Sequence, residues 1–453
     1  MDSQTLQFLL ERGPLLKTEI LQRLAIQSEE LEHWISDLKD QLVTFGSEYN
    51  LGLALKRKIR DKAYFPIWEI SQDGNQVLRL GDLISVQPLG YVMHFWGQHQ
   101  LKECIYSTGL PWWLYDIRPQ GFIGRAFAHK HAEELNLPKD LKIWSDDDVL
   151  IAVSGFNEET IGNLILGNAG WSSGASALMT LEHLNASTAW SSDRITLYKH
   201  LAHESLGTEL VGSSAGGEQP KFTIIVKKPD PTYVLVKFTA PDNNAATRRW
   251  GSLLQAETLA SKILQDAGIT SARSEFLQQD GQYFLEVERF DRVRVTGRLG
   301  LASLAALDHE FVGRNDASWS FQGIELHKQG LISLEDAKTM QKLEAFGRMI
   351  GNADMHLGNL SFFHERTTNL RLAPTYDMLP MLFAPRASGH IPHEVPEIDL
   401  KFPPDLEHWQ TMFPWAMQYW QQLAKLPQPD ESFKAIALKF IERLHQLKLK
   451  LDF

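Results

Sequence analysis

The sequence predicts an α+β protein of several domains, and three observations carry that expectation. The chain has 453 residues, where single domains commonly hold roughly 150. Both ends place apolar residues at three- and four-residue steps, the spacing of helices. The middle alternates short apolar runs with turn residues, the pattern of strands. With 43% hydrophobic and 22% charged residues, the composition is that of a globular protein. No apolar run approaches the roughly 18 residues of a membrane span. Met1, Asp2, Ser3 and Gln4 bring no basic stretch followed by an apolar core, so no secretory signal is expected. Cys104 is the lone cysteine, which excludes an intramolecular disulfide and argues against a cysteine zinc site. The net charge of −11 argues against nucleic-acid binding by the whole surface and leaves room for a local basic patch. A cytoplasmic location is expected from these features together.

Leu6, Leu9 and Leu10 share one helical face, and Gly13-Pro14 ends that helix. Ile20, Leu21 and Leu24 mark a second helix. Ser28 can cap a third, which carries Leu31, Trp34, Ile35 and Leu38 at helical steps. Strand-like runs at 42–45 and 51–55 flank a turn. Helix, helix, turn, helix and hairpin is the pattern of a winged helix-turn-helix, here over 1–65. The hairpin ends in Lys56, Arg57, Lys58 and Arg60, which are candidate DNA-phosphate contacts beside a helix that could enter a major groove. Against DNA stand Glu29, Glu30 and Glu32, which suit the helix dipole and repel phosphate. A protein-contact module is the alternative. Further on, Trp112, Trp113 and Tyr115 read as core, and Asp146 to Asp148 as a turn and helix start. The pairs His129/His131 and His200/His203 lack metal-helix spacing and read as surface histidines.

Four segments carry chemistry. Residues 212–221 form a Gly- and Ser-rich loop running into a strand, so that backbone N–H groups can approach a phosphate. Lys237 lies inside the apolar strand 233–238 and needs a counter-charge. Glu257, on the following helix, can supply one, which is the layout of the kinase ion pair. Alternatively, Lys237 sits on an edge strand and Glu257 on an exposed helix face. Asp354 and Asn359 stand five apart, the offset of a kinase catalytic loop, where the Asp orients the substrate hydroxyl and the Asn carbonyl holds Mg²⁺. Asp377 follows 18 residues after Asn359 at the end of a strand-like run, where kinases place the second Mg²⁺-binding Asp.

The loop from Ser213 to Lys221, Glu288-Arg289-Phe290-Asp291-Arg292, the stretch from Asn352 to Ser361, and Pro374-Thr375-Tyr376-Asp377 together resemble the HipA family of bacterial serine/threonine kinases, which includes toxins of toxin–antitoxin systems. The chain is most similar to the YjjJ-type members, which carry an N-terminal DNA-binding-like module. The similarity spans roughly 70–453. It implies a protein-kinase-like two-lobed fold, with an N-lobe at 66–292 and a helical C-lobe at 293–453. It also implies ATP and Mg²⁺ as cofactors. Ala215, Gly216, Gly217 and Lys221 would cradle phosphate, and Lys237 would hold it while paired with Glu257. Glu288 and Phe290 would offer backbone groups to adenine. Asp354 would be the catalytic Asp, with Asn359 and Asp377 as Mg²⁺ ligands and His356 and Tyr376 shaping the site. Ser213 or Ser214 would be autophosphorylated, a charge that repels ATP phosphates. The implied activity is a growth-inhibiting kinase toxin. The implied partners are a protein substrate such as an aminoacyl-tRNA synthetase or another translation factor, and an antitoxin. The alternative is a DNA-binding transcriptional regulator whose kinase-like body senses nucleotide or dimerises. One departure from the family stands out: Gly358 occupies a position where it often has Lys.

Overall fold

The computed structural model describes residues 2–47, 50–96, 105–156, 160–167, 194–207, 219–316, 318–365, 369–400 and 404–451. Ser213, Ser214, Ala215, Gly216, Gly217 and Cys104 lie outside them.

The chain opens with α1 (Ser3–Leu10), whose first turn is capped by the Asp2 side chain accepting from Thr5 N–H. There follow β1 (Leu15–Leu16), α2 (Lys17–Leu24), α3 (Ser28–Asp37), β2 (Leu42–Phe45) and β3 (Gly52–Leu55). Ser28, expected as the cap of α3, is its first helical residue. Gln27 precedes it and makes no side-chain capping bond. Strand β3 lies between β1 and β2, antiparallel to both. Leu6, Leu10, Ile20, Leu31, Trp34 and Leu53 close a small core.

The ladder then continues without a linker. Lys56 bridges Val86, and Ala54 packs with Ile84, Val86 and Val92. Ile84, Val86 and Val92 belong to a five-stranded antiparallel sheet of β4 (Tyr64–Ile70), β5 (Val77–Val86), β6 (Gly90–Phe95), β7 (Ile105–Ser107) and β8 (Leu164–Leu166), in the order β7-β6-β5-β4-β8. Helices α4 (Gly121–His131) and α5 (Asp146–Val153) contribute Ala128, Val149 and Leu150 to its core.

After α6 (Arg194–Gly207) comes a second sheet of β9 (Lys221–Lys227), β10 (Pro231–Phe238), β11 (Ser274–Gln279) and β12 (Gln282–Glu288), in the order β11-β12-β10-β9. Side chains alternate across a strand. On one face Val236, Phe238 and Phe284 meet Tyr198 and Ala202 of α6. On the other, Tyr283 and Leu285 meet Leu254 of α7 (Ala245–Asp266). The segment 66–292, expected as one lobe, therefore holds two sheets with separate cores. Strand-like periodicity cannot say which strands pair.

The remainder is mostly helical. It contains α8 (Leu304–Leu307), α9 (Trp319–Lys328), α10 (Leu334–Ile350), α11 (Leu406–Lys425) and α12 (Ser432–Leu451). A three-stranded sheet of Leu301–Ser303, Ser361–Phe363 and Arg371–Leu372 lies among them. Phe346, Tyr419, Trp420 and Phe440 are nearly or fully buried here, and Trp420 stacks on Phe440 at 4.3 Å. Each such side chain contributes roughly 1.5–3 kcal/mol by leaving water. No helix among the described residues is long and apolar enough to cross a membrane.

Candidate active site

Strand β10 is central in its sheet, so Lys237 is not an edge residue. It pairs with Leu285 on one side and Lys221 on the other. Glu257 is buried as well, not an exposed helix residue. Helix α7 delivers it from a start capped by the Asn244 side chain. The Lys237 ammonium donates to both Glu257 carboxylate oxygens, at 2.7 and 2.8 Å, and to Asp377. Burial alone would lower the Lys237 pKa, but the Asp377 and Glu257 charges reverse this and hold it above the usual lysine range. Burial raises the Glu257 pKa, with Lys237 opposing. Burial would also raise that of Asp377, but Lys237 and Lys221 pull it below the ordinary carboxylate range. The outcome is a buried cation shared by two carboxylates, which is costly unless hydrogen-bonded.

Asp377 has φ +56°, the left-handed region. Asp tolerates it better than most residues, at a strain of about 1–3 kcal/mol. Two residues earlier, Thr375 is clamped in place: its N–H donates to Thr270 O, and its carbonyl accepts from Ala272 N–H.

Helix α10 ends at Gly351 (φ +77°), and the chain enters the loop that carries Asp354 and Asn359. Asn352 holds it, with Oδ1 accepting from Asp354 N–H at 3.0 Å and Nδ2 donating to Asp377 O at 3.4 Å. Asn359 Nδ2 donates to Asp354 O at 2.8 Å, so its carbonyl oxygen points elsewhere. The Tyr376 hydroxyl donates to Gly358 O at 2.8 Å. His356 Nδ1 accepts from Gly358 N–H at 3.0 Å. A Cβ at Gly358 would come within 2.9 Å of the His356 ring, so a larger residue here would have to displace that ring. Asp354 stands on the open side of the cavity. Loss of water around its carboxyl raises its pKa, which His356 opposes and Asp377 reinforces.

These groups line one cavity of about 830 Å³. Lys221, Lys237, Glu257, Asp354, Asn359 and Asp377 face it. So do Glu288, Phe290, His356 and Tyr376, with the Phe290 ring 5.7 Å from that of Tyr376. The expected role of Glu288 narrows. Its N–H donates to Arg273 O and its carboxylate pairs with Lys228, so its carbonyl is the group it can offer a ligand.

Of the four candidate DNA contacts, three bond within the chain. Arg57 turns inward and forks onto the Asp147 carboxylate, with Nη2 at 2.9 Å. Arg60 donates to the carbonyls of Leu135 and Asn136. Lys56 donates to Asp40 O at 3.0 Å and lies over the Tyr64 ring. Lys58 is exposed. Arg57, partly buried, takes the nearest carboxylate, on α5, while the exposed Arg60 and the half-buried Lys56 reach backbone carbonyls after α4 and after α3.

Sequence reasoning missed three features. Asp291 accepts from Arg289, Arg292 and Gly162 N–H, while Arg292 reaches Thr160 O, so the Arg-Phe-Asp-Arg motif rivets the β8 region to the β9–β12 sheet. Asp116 accepts from Ser303 N–H and Oγ. Arg118, Gly121 and Phe127, before and within α4, form a further wall of the cavity. Only the motif had a local signal, and its partners lie some 130 residues away.

Comparison with known proteins accords with this geometry. A family model described as the YjjJ-like toxin middle domain matches residues 61–173, and one described as the HipA-like C-terminal domain matches 213–446. Toxin YjjJ of Escherichia coli (strain K12) is 37% identical over 446 residues, covering 98% of this chain and 97% of its own. The chain belongs to the HipA-like family, in its YjjJ-like toxin branch. The HipA of Shewanella oneidensis MR-1, solved with HipB and operator DNA, covers 84% of this chain and 97% of its own at 14% identity and TM-score 0.52. That match shows that the HipA fold is shared. The Helicobacter pylori proinflammatory kinase CtkA covers 52% of this chain at TM-score 0.36, below the level from which fold can be argued.

Proposed function

We propose that this HipA-like toxin is a protein serine/threonine kinase that uses ATP and Mg²⁺. One observation carries the reading: Lys237, Glu257, Asp354, Asn359 and Asp377, drawn from four separate segments, converge on a single cavity. In this reading Lys237 leaves Asp377 for the ATP phosphates while Glu257 keeps it charged and aimed. The raised pKa of Asp354 suits it to take the hydroxyl proton. Asp377 and the Asn359 carbonyl are hard oxygen donors, the type Mg²⁺ takes alongside substrate phosphates. When bound, that ion would neutralise charge on the transferred phosphoryl group. Gly358 removes a cation that family members often carry there, and the His356 ring fills the space. Autophosphorylation at Ser213 or Ser214, a translation-linked protein substrate and an antitoxin partner are carried over from the family as part of the proposal.

The element order of residues 3–55 and the central β3 support the winged-helix reading. We infer that this module contacts protein rather than DNA. The exposed face of α3 carries Glu29, Glu30, Glu32 and Asp37, with no Lys or Arg in the helix.

Incubating the purified chain with Mg²⁺ and γ-labelled ATP, followed by phosphopeptide mapping, tests the kinase reading. Label on a loop serine or on a lysate protein, absent from Asp354→Ala, is the expected result. No label anywhere, or equal label in Asp354→Ala, refutes it.

A further inference from the structure

Arg249 lies two turns ahead of Glu257 on α7 and is fully buried. It does not line the cavity, although Trp250, Leu254 and Glu257 of the same helix do. A buried guanidinium has five N–H donors to satisfy, and five acceptors surround this one. Nε donates to Asp430 at 2.7 Å. Nη1 donates to Phe383 O at 3.0 Å and Pro392 O at 2.6 Å. Nη2 meets His393 Nδ1 at 3.1 Å and Ser432 Oγ at 3.2 Å. Asp430 and Ser432 flank the start of α12, and Asp430 N–H also donates to Ser252 of α7. Phe383, Pro392 and His393 belong to the segment that begins at Asp377, and Leu379 and Met381 of that segment face the cavity. Arg249 thus joins, from behind, two walls of one cavity. One wall carries Glu257 and the other carries Asp377.

We propose that Arg249 is a positioning residue for the nucleotide site. It locks α7 to the segment following Asp377, so that the Lys237–Glu257–Asp377 cluster assembles without any modification of that segment. This rests on the nucleotide reading above. Where a phosphate orders a loop, it does so by adding acceptors for Arg. Here the acceptors are carbonyls and side chains of the unmodified chain, so the order is built in. A slide of α7 that separated Glu257 from Lys237 would strain all five bonds together.

The test is a double-mutant cycle on the full chain, reading ATP affinity in Mg²⁺ by calorimetry. Arg249→Lys keeps the charge but offers three donors instead of five. The expected loss is about tenfold in affinity, and no further loss is expected when Glu257→Gln is already present. Leu444→Ala, in the core of the second half of α12, should lower thermal stability without changing affinity. Wild-type affinity in Arg249→Lys, or the same loss with and without Glu257→Gln, overturns the proposal. If Arg249→Lys does not fold, Ser432→Ala removes a single acceptor and enters the same cycle, with about a twofold loss expected. No loss there, or an independent one, overturns the proposal equally. A wild type that does not bind ATP overturns the nucleotide reading itself, and this inference with it.

Discussion

The cleft and the N-terminal module both concentrate charge, and the structure uses the two concentrations in opposite ways. In the cleft, Lys237, Glu257 and Asp377 pair with one another at the edge of a cavity, so a ligand can exchange for part of the pairing. In the module, Arg57, Arg60 and Lys56 bond to Asp147 and to backbone carbonyls. A basic run in a sequence gives no indication of which fate applies. Only the position of its acceptors decides between a site and a staple.

The largest expected effect lies in the cleft. Asp354→Ala should lower phosphoryl transfer by about 10²–10⁴-fold while leaving ATP affinity near wild type, as kinetics beside calorimetry would show. Weaker binding of equal size would place Asp354 in ground-state binding instead.

Next comes the rivet between sheets. Asp291 is buried between two arginines, which overcome burial and hold its carboxyl well below the usual range. Asp291→Asn should cost about 3–5 kcal/mol, since it leaves buried guanidinium groups short of charge. A depressed folded-state pKa makes this stability present above the unfolded value of about 3.9 and lost as pH falls below it. The melting temperature of Asp291→Asn should therefore vary less with pH in that acidic range than that of the wild type.

Arg57→Ala is intermediate. The pair with Asp147 is partly buried, so the expected cost is about 1–3 kcal/mol, between the exposed and buried limits. Limited proteolysis should then release the N-terminal module first. An unchanged cleavage pattern would mean that the apolar contact of Ala54 with Val86 and Val92 holds the module alone. The smallest effect is expected from Lys58→Ala, within about 0.5 kcal/mol in stability and with no change in the salt dependence of any DNA binding. A salt slope reduced by about 1 would instead identify Lys58 as a phosphate contact.

The legible part of the site was local. Lys237 within an apolar strand, Glu257 20 residues later on a periodic helix, and the five-residue step from Asp354 to Asn359 could be read because each motif sits on one element. The helices of residues 3–37, α7 and α12 were equally legible from their apolar spacing. What stayed hidden depends on topology. Asp116 meets Ser303 across 187 residues. The acceptors of Arg249 lie 134 to 183 residues away, so nothing near Arg249 marks it as buried. The division of 66–292 into two sheets was hidden for the same reason, because pairing is decided by long-range contacts that strand-like spacing does not encode.

ATP titration with and without Mg²⁺ tests most directly whether the cleft's charges form a ligand site rather than a staple. Saturable binding that strengthens with Mg²⁺ and is lost in Lys237→Met is the predicted result. Absence of binding, or equal binding by Lys237→Met, would contradict it.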